Sequence, residues 1–297
     1  DEPRTIEQSI RTYINSLRKE SQMKKGFCIF LTTALIFCCS FTSSAAYEYP
    51  ARRVSHPNVE PVSLSARLCN AEVHPGLSGT QPYAIIGDDD TRWKIEREDA
   101  EDWPYNMIVG VFVTYANEPN KTFLATGFVI SDHVVLTAGH VLEDRQRGEV
   151  THIQVAPGYT GDGIAHLGLF QCTNFEIPSN FAPGTGTDYG VLTFDDNIGN
   201  VAGHFGWWNL DDPVDTVVEI AGYPQSKNGQ MWGTSDVITG ASSTMLYYTM
   251  DTEPGNSGSP AFTADCQAVA IHVAGTSTQN SGVRLTNSVM SWVQQHF

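Results

Sequence analysis

Near the C-terminal end of this 297-residue chain, the run Asp251-Thr252-Glu253-Pro254-Gly255-Asn256-Ser257-Gly258-Ser259-Pro260-Ala261-Phe262 crowds small residues around one serine. A serine hydroxyl is a weak nucleophile. It needs a base within hydrogen-bond reach and backbone N–H groups converging on the oxygen that becomes negative. Gly255 can adopt backbone conformations closed to other residues, so its N–H and that of Ser257 can point into one oxyanion hole. The same letters also make a polar turn between strands, so the reading requires a base and a carboxylate elsewhere in the chain.

Among nine histidines, His140 ends Thr137-Ala138-Gly139-His140-Val141, a small-residue bend that follows the apolar run Val134-Val135-Leu136. Asp188 opens Asp188-Tyr189-Gly190-Val191-Leu192, a carboxylate at the mouth of a strand where it can accept from an imidazole and fix its tautomer. Taken singly, the first is a turn histidine and the second a turn-capping aspartate. In the order His140, Asp188, Ser257 they supply base, orienting carboxylate and nucleophile.

These three groups must be held by β-structure. Short β-branched and aromatic runs recur between Gly, Pro, Asn and Asp: Met107 to Tyr115, Thr122 to Ile130, Val134 to Thr137, Ile153 to Ala156, Tyr189 to Phe194, Val217 to Ala221, Met245 to Met250 and Ala268 to Ala274. That rhythm predicts an all-β sandwich or barrel. Only residues 287 to 297, with Val289, Trp292 and Val293 at helical spacing, read as a helix.

The formal net charge is -16, from 17 Lys+Arg against 33 Asp+Glu. Residues 84 to 297 hold 8 basic and 26 acidic side chains, 8 minus 26 or -18, which argues against nucleic acid as a partner. Residues 23 to 46 read as a secretory signal, with Lys24 and Lys25 before an apolar run and Ser44-Ala45-Ala46 at its end. Met23 is the expected start, and residues 1 to 22 are expected to be upstream or mis-started sequence. Residues 47 to 83, rich in Pro, Ser, Val and Ala without a sustained period, read as a propeptide or linker. In the body only Cys172 and Cys266 remain, and pairing is left open. No spacing of Cys or His marks a metal site, and no cofactor is expected.

Thr137-Ala138-Gly139-His140, Asp188-Tyr189-Gly190-Val191 and Gly255-Asn256-Ser257-Gly258-Ser259-Pro260 together resemble the three catalytic blocks of the chymotrypsin-like serine proteases, and more closely their glutamyl endopeptidase branch. Ile85-Ile86-Gly87-Asp88-Asp89-Asp90, Ala221-Gly222-Tyr223-Pro224 and Met231-Trp232 add to the likeness, which spans about 84 to 297. The resemblance implies two six-stranded antiparallel β-barrels, about 84–205 and 206–286, followed by the helix at 287–297. It implies a secreted, monomeric endopeptidase that acts on protein or peptide substrates and is free of the membrane when mature; because Glu48, Glu60 and Glu72 do not lie at the expected boundary before Ala84, a separate processing protease is expected to make the last cut. His140, Asp188 and Ser257 would be catalytic, and Gly255 and Ser257 would form the oxyanion hole.

The same resemblance assigns the substrate pocket to Thr252, His272, Val273, Ala274 and Gly275, with Thr252 and His272 as donors to a glutamate side chain. A buried carboxylate needs such donors, because its desolvation is costly. Asp251 stands where trypsin-like enzymes carry the aspartate that binds Arg or Lys, so basic specificity is the rival reading. A catalytically silent binding module on the same fold is another. Asn256 precedes the serine, so the freed N-terminus cannot pair there with an aspartate as in trypsin-like zymogens. The resemblance instead brings the amine near Ala84 or Ile85 to the pocket.

Overall fold

The computed structural model describes residues 49–54, 59–77, 85–87 and 89–297, all within the compact unit Tyr47–Phe297. The expected signal, the segment before it and the boundary at Ala84 lie outside the described residues.

The strands fall in chain order as follows. The leading segment carries β1 (Val62–Ser63) and β2 (Glu72–Val73), and β3 (Trp93–Lys94) opens the body. The first half holds β4 (Ile108–Tyr115), β5 (Phe123–Ser131), β6 (Val134–Thr137), β7 (Val150–Pro157), β8 (Ile164–Ala165), β9 (Phe170–Gln171), β10 (Asn174–Glu176) and β11 (Gly190–Thr193). The second holds β12 (Gly206–Trp207), β13 (Val217–Gly222), β14 (Trp232–Ala241), β15 (Met245–Tyr248), β16 (Pro260–Phe262), β17 (Gln267–Gly275) and β18 (Asn280–Arg284).

The second half closes. Strands β17, β16, β13, β14, β15 and β18 pair in sequence, and β17 pairs β18 to complete a six-strand barrel. Inside lies an apolar cluster that includes Val218, Ile220, Ile238, Leu246, Tyr248, Ala261 and Val269. The first half is a half-barrel of order β10-β11-β6-β5-β4-β7-β9, with no closing pair among the described strands. Its central strands β4, β5 and β6 are buried along their whole length, which is why their sequences read as continuous apolar runs. The two six-stranded barrels expected from the resemblance appear as one closed barrel and one half-barrel.

Boundaries differ in one respect. Trp93–Lys94 pairs with β14, so the start of the body belongs to the second sheet and not the first. Strand β14 was not legible, because its Gly, Thr, Ser and Asp content leaves half of it only partly buried. The terminal helix runs Asn287–Val293 with Thr286 as N-cap, its hydroxyl accepting from Val289 N–H, and buries Val289, Met290 and Val293. Trp292 meets Tyr189 edge-on at 5.3 Å, which braces the residue beside Asp188.

The segment before the body is not a detached linker. It pairs Tyr49 with Trp207 and Arg52 with His204, forms a short helix at Ala66–Cys69, and adds β2 to β5 in parallel. Cys69, Cys172 and Cys266 are all free thiols. Among the described residues no helix is long and apolar enough to cross a membrane.

Candidate active site

The turn before β16 carries Ser257. Gly255 and Gly258 sit at φ +93° and +90°, and a Cβ on them would come within 2.1 Å of Tyr223 O and 2.0 Å of Thr126 O. Only glycine fits either place. Thr126 on β5 stitches the turn down: its N–H donates to Ser257 O (3.1 Å), and its hydroxyl donates to Gly255 O (2.6 Å) while accepting from Tyr223 N–H (3.2 Å). Asn256 Oδ1 accepts from Glu253 N–H at 3.1 Å. On the other side Gly258 N–H donates to His272 O and His272 N–H to Ser259 O, both at 2.8 Å. The serine turn is thus clamped between β5 and β17. No protein acceptor among the described residues takes the N–H of Gly255 or of Ser257.

His140 lies on a single helical turn, Gly139–Leu142, directly after β6. Its Nδ1 is 2.9 Å from Asp188 Oδ2 and its Nε2 is 2.8 Å from Ser257 Oγ. Asp188 is fully buried, yet both of its oxygens are engaged, Oδ1 by His140 N–H (2.8 Å) and Oδ2 also by Gly184 N–H (2.6 Å). A buried carboxylate held by backbone donors and an imidazole is compensated for its desolvation. The three residues expected from sequence are therefore brought into one hydrogen-bonded chain.

A cavity beside Ser257 is lined by Thr252, His272, Val273, Ala274 and Gly275, the residues that the resemblance assigns to the substrate pocket. A register shift between His272 and Ala274 on β17 lets this strand turn its edge toward the pocket. Behind His272 lies Tyr248, whose hydroxyl is 2.8 Å from His272 Nδ1. Burial, then the neighbouring His140 charge, pushes His272 down to about 3, so its imidazole is neutral at working pH. Burial likewise raises Tyr248 well above its usual value, so its hydroxyl stays protonated. Sequence reasoning missed Tyr248 and Thr126. Tyr248 had a signal, since Leu246, Tyr248 and Met250 alternate inward and an inward tyrosine hydroxyl needs a partner.

Asp251 faces away from that pocket. Its Oδ1 accepts from Ile86 N–H (2.8 Å), and its Oδ2 from Thr91 N–H (2.8 Å) and the Thr91 hydroxyl (2.7 Å). Asp251 anchors the start of the body and does not line the cavity. Glu253, which does line it, is bound by Arg92 at 3.2 Å and by Ser226 N–H at 2.9 Å. Asp90 is taken up by Arg92 and Lys227, and the Arg92 bond holds its carboxyl well below the usual range.

The leading segment enters the cleft. His74 N–H donates to Leu124 O at 2.8 Å, and the His74 ring packs 6.0 Å from that of His140. A Cβ on Gly76 would stand 3.8 Å from Ser257 Oγ, and Gly76 and Leu77 line the same cavity as Thr252 and His272.

A clamped serine between a barrel and a half-barrel, bonded to a histidine and a buried aspartate, defines the trypsin-like class of peptidase architecture. The family described as "Trypsin-like peptidase domain" matches residues 125–271. The chain is 34% identical to a glutamyl endopeptidase of Bacillus licheniformis over 70% of this chain and 68% of that protein. It is 32% identical to an extracellular protease of Bacillus subtilis, named as a metalloprotease, over 75% of this chain and 72% of that one. A solved Glu endopeptidase in complex with MPD superposes with TM-score 0.63 at 30% identity, covering 71% of this chain and 98% of its own. The chain belongs to the chymotrypsin-like serine proteases, in their glutamyl endopeptidase branch.

Proposed function

We propose that this protein is a secreted serine endopeptidase, made as a precursor, that cuts peptide bonds after Glu and less readily after Asp. The observation that carries the reading is the unbroken chain Asp188–His140–Ser257 opening onto a cavity with Thr252 and His272 on its wall. Ser257 Oγ attacks the substrate carbonyl while His140 Nε2 takes its proton, and Asp188 stabilises the resulting imidazolium. The N–H groups of Gly255 and Ser257 receive the oxyanion, where loss of one such donor costs ~3 to 4 kcal/mol of transition-state stabilisation. His140 then protonates the leaving amine, and water, activated by the same imidazole, releases the acyl group.

Neutral His272 and the Thr252 hydroxyl are donors suited to a glutamate carboxylate. Basic specificity loses its support, because both oxygens of Asp251 are already engaged by the segment at Ile86 and Thr91. The homologous glutamyl endopeptidases support the same choice. Residues 23–46 act as the export signal, and residues 47–83 are removed by a separate processing protease, since no glutamate lies at the boundary before Ala84.

The test is labelling of the processed form with an active-serine phosphonylating reagent. One equivalent on Ser257, lost in Ser257→Ala, with peptide hydrolysis indifferent to a chelator, is the expected result. An unlabelled protein with Ser257 intact would favour a binding module, and inactivation by the chelator would favour metal chemistry.

A further inference from the structure

We propose that Tyr248 is a positioning residue that fixes the tautomer of His272 so that its Nε2–H is presented to the substrate carboxylate. The inference rests on the glutamate-specific reading above. Tyr248 is fully buried in the apolar core of the closed barrel. There, among the described residues, its hydroxyl has one neighbour of the right kind, His272 Nδ1 at 2.8 Å. A buried phenol must donate its proton somewhere, and Nδ1 can accept only when the ring proton sits on Nε2. The second nitrogen is the one left to the cavity that His272 lines. With the opposite tautomer that nitrogen would offer a lone pair to a carboxylate, which repels it. The hydroxyl thereby converts an ambivalent imidazole into a dedicated donor, and it does so from outside the pocket.

Two readouts test this. In the processed enzyme, Tyr248→Phe is expected to lower kcat/KM for a peptide with Glu before the scissile bond by about tenfold, mostly through KM. The matched Gln peptide and the rate of Ser257 phosphonylation should be nearly unchanged. Nitrogen-15 shifts of His272 in the wild type should report the Nε2–H tautomer, whether or not Tyr248→Phe folds. An Nδ1–H tautomer, or an unaltered Glu/Gln ratio in a folded Tyr248→Phe, overturns the proposal. A wild type without Glu preference but with the Nε2–H tautomer overturns the specificity reading alone.

A separate observation carries a second inference: residues 72–77 lie in the cleft in the direction opposite to a substrate, and so block it without being cut. A substrate places its acyl side chain in the pocket on the β17 side and its leaving amine next to His140, and its chain continues away from the pocket. The leading segment runs the other way. Glu72 and Val73 pair with Phe123 and Leu124 on β5, and Val73 packs onto Gly255. His74 then packs beside His140, Gly76 reaches Ser257, and Leu77 arrives at the pocket. The peptide bonds at Ser257 therefore present their carbonyl and nitrogen in reversed order, with no amine placed for His140 to protonate.

In the full-length precursor, Ser257 should be phosphonylated at least about tenfold more slowly than in the processed enzyme, and mass analysis should find no cut within 72–77. Leu77→Glu sharpens the direction, since it sets the preferred side chain at the pocket. The reversed chain leaves Leu77→Glu precursor uncut after residue 77. Cleavage there, or equal labelling of precursor and processed wild type, overturns the inference.

Discussion

Two buried imidazoles flank His140, one from each side of the cleft, and they are held very differently. His272 belongs to the closed barrel, with its backbone bonded to the serine turn and its Nδ1 to Tyr248. His74 belongs to the leading segment. Among the described residues its Nδ1 accepts only from Gly76 N–H at 3.2 Å, two residues away, and its Nε2 has no hydrogen-bond partner, standing 3.9 Å from Asp144. Burial pushes both down to about 3. One neutral histidine is thus built into the pocket, and the other is held under a pending cost. Under the proposed processing the difference separates a permanent part of the site from a removable one, because an unsatisfied buried nitrogen would regain water once the segment left.

The largest expected effect breaks the permanent side. His272→Val in the processed enzyme should lower kcat/KM for a Glu peptide by roughly a hundredfold or more while the Gln peptide falls far less, since a buried carboxylate loses its donor. Equal losses on both peptides would mean that His272 serves packing alone.

The removable side should answer to pH. With an ordinary value of 6.5 when undocked and about 3 when docked, His74 takes up its proton only on release. Its contribution to docking is therefore complete above pH 6.5 and declines as pH falls below it. The groups facing it are His140, Arg147 and Asp144, with Tyr115 and Phe123 against its ring. Between pH 7 and pH 5, hydrogen exchange of the Glu72 and His74 amides, which donate to Thr122 O and Leu124 O, in the Ser257→Ala precursor, corrected for intrinsic rates, should accelerate by roughly twenty-five-fold. His74→Phe should abolish that change, and constant protection across the range would remove His74 from the account.

A smaller effect concerns how the pocket side is anchored. Asp251→Asn leaves an amide where Oδ2 or Oδ1 received N–H donors, orphaning at least one of them, and should cost about 1–3 kcal/mol. Thermal unfolding should fall by a few degrees, with the Arg/Glu preference of the enzyme unaltered. A gain of Arg specificity or an unchanged melting temperature would contradict the anchoring role.

The sequence made the reacting groups legible because nucleophile, base and carboxylate each sit in short runs of small residues with narrow backbone demands. Gly255 and Gly258 are such demands made visible. What lay beyond reach depended on partners far along the chain. Asp251 read as a pocket residue because nothing in its own neighbourhood announces Ile86 and Thr91 as its donors. Residues 47–83 lack any period, so the approach of residues 72–77 to the cleft was invisible; β2 is two residues long and its register is set by β5. Strand β14, polar and partly exposed, was hidden by the same dependence on tertiary context. Closure of the second barrel and not the first follows from the β17–β18 pairing, which no local pattern specifies.

The most direct measurement is kcat/KM of the processed wild type on matched peptides carrying Glu, Asp, Gln, Arg or Phe before the scissile bond. The account predicts Glu first and Asp next, with Gln, Arg and Phe far below. A preference for Arg would contradict it, returning Asp251 to the pocket and leaving His272 without a carboxylate to bind.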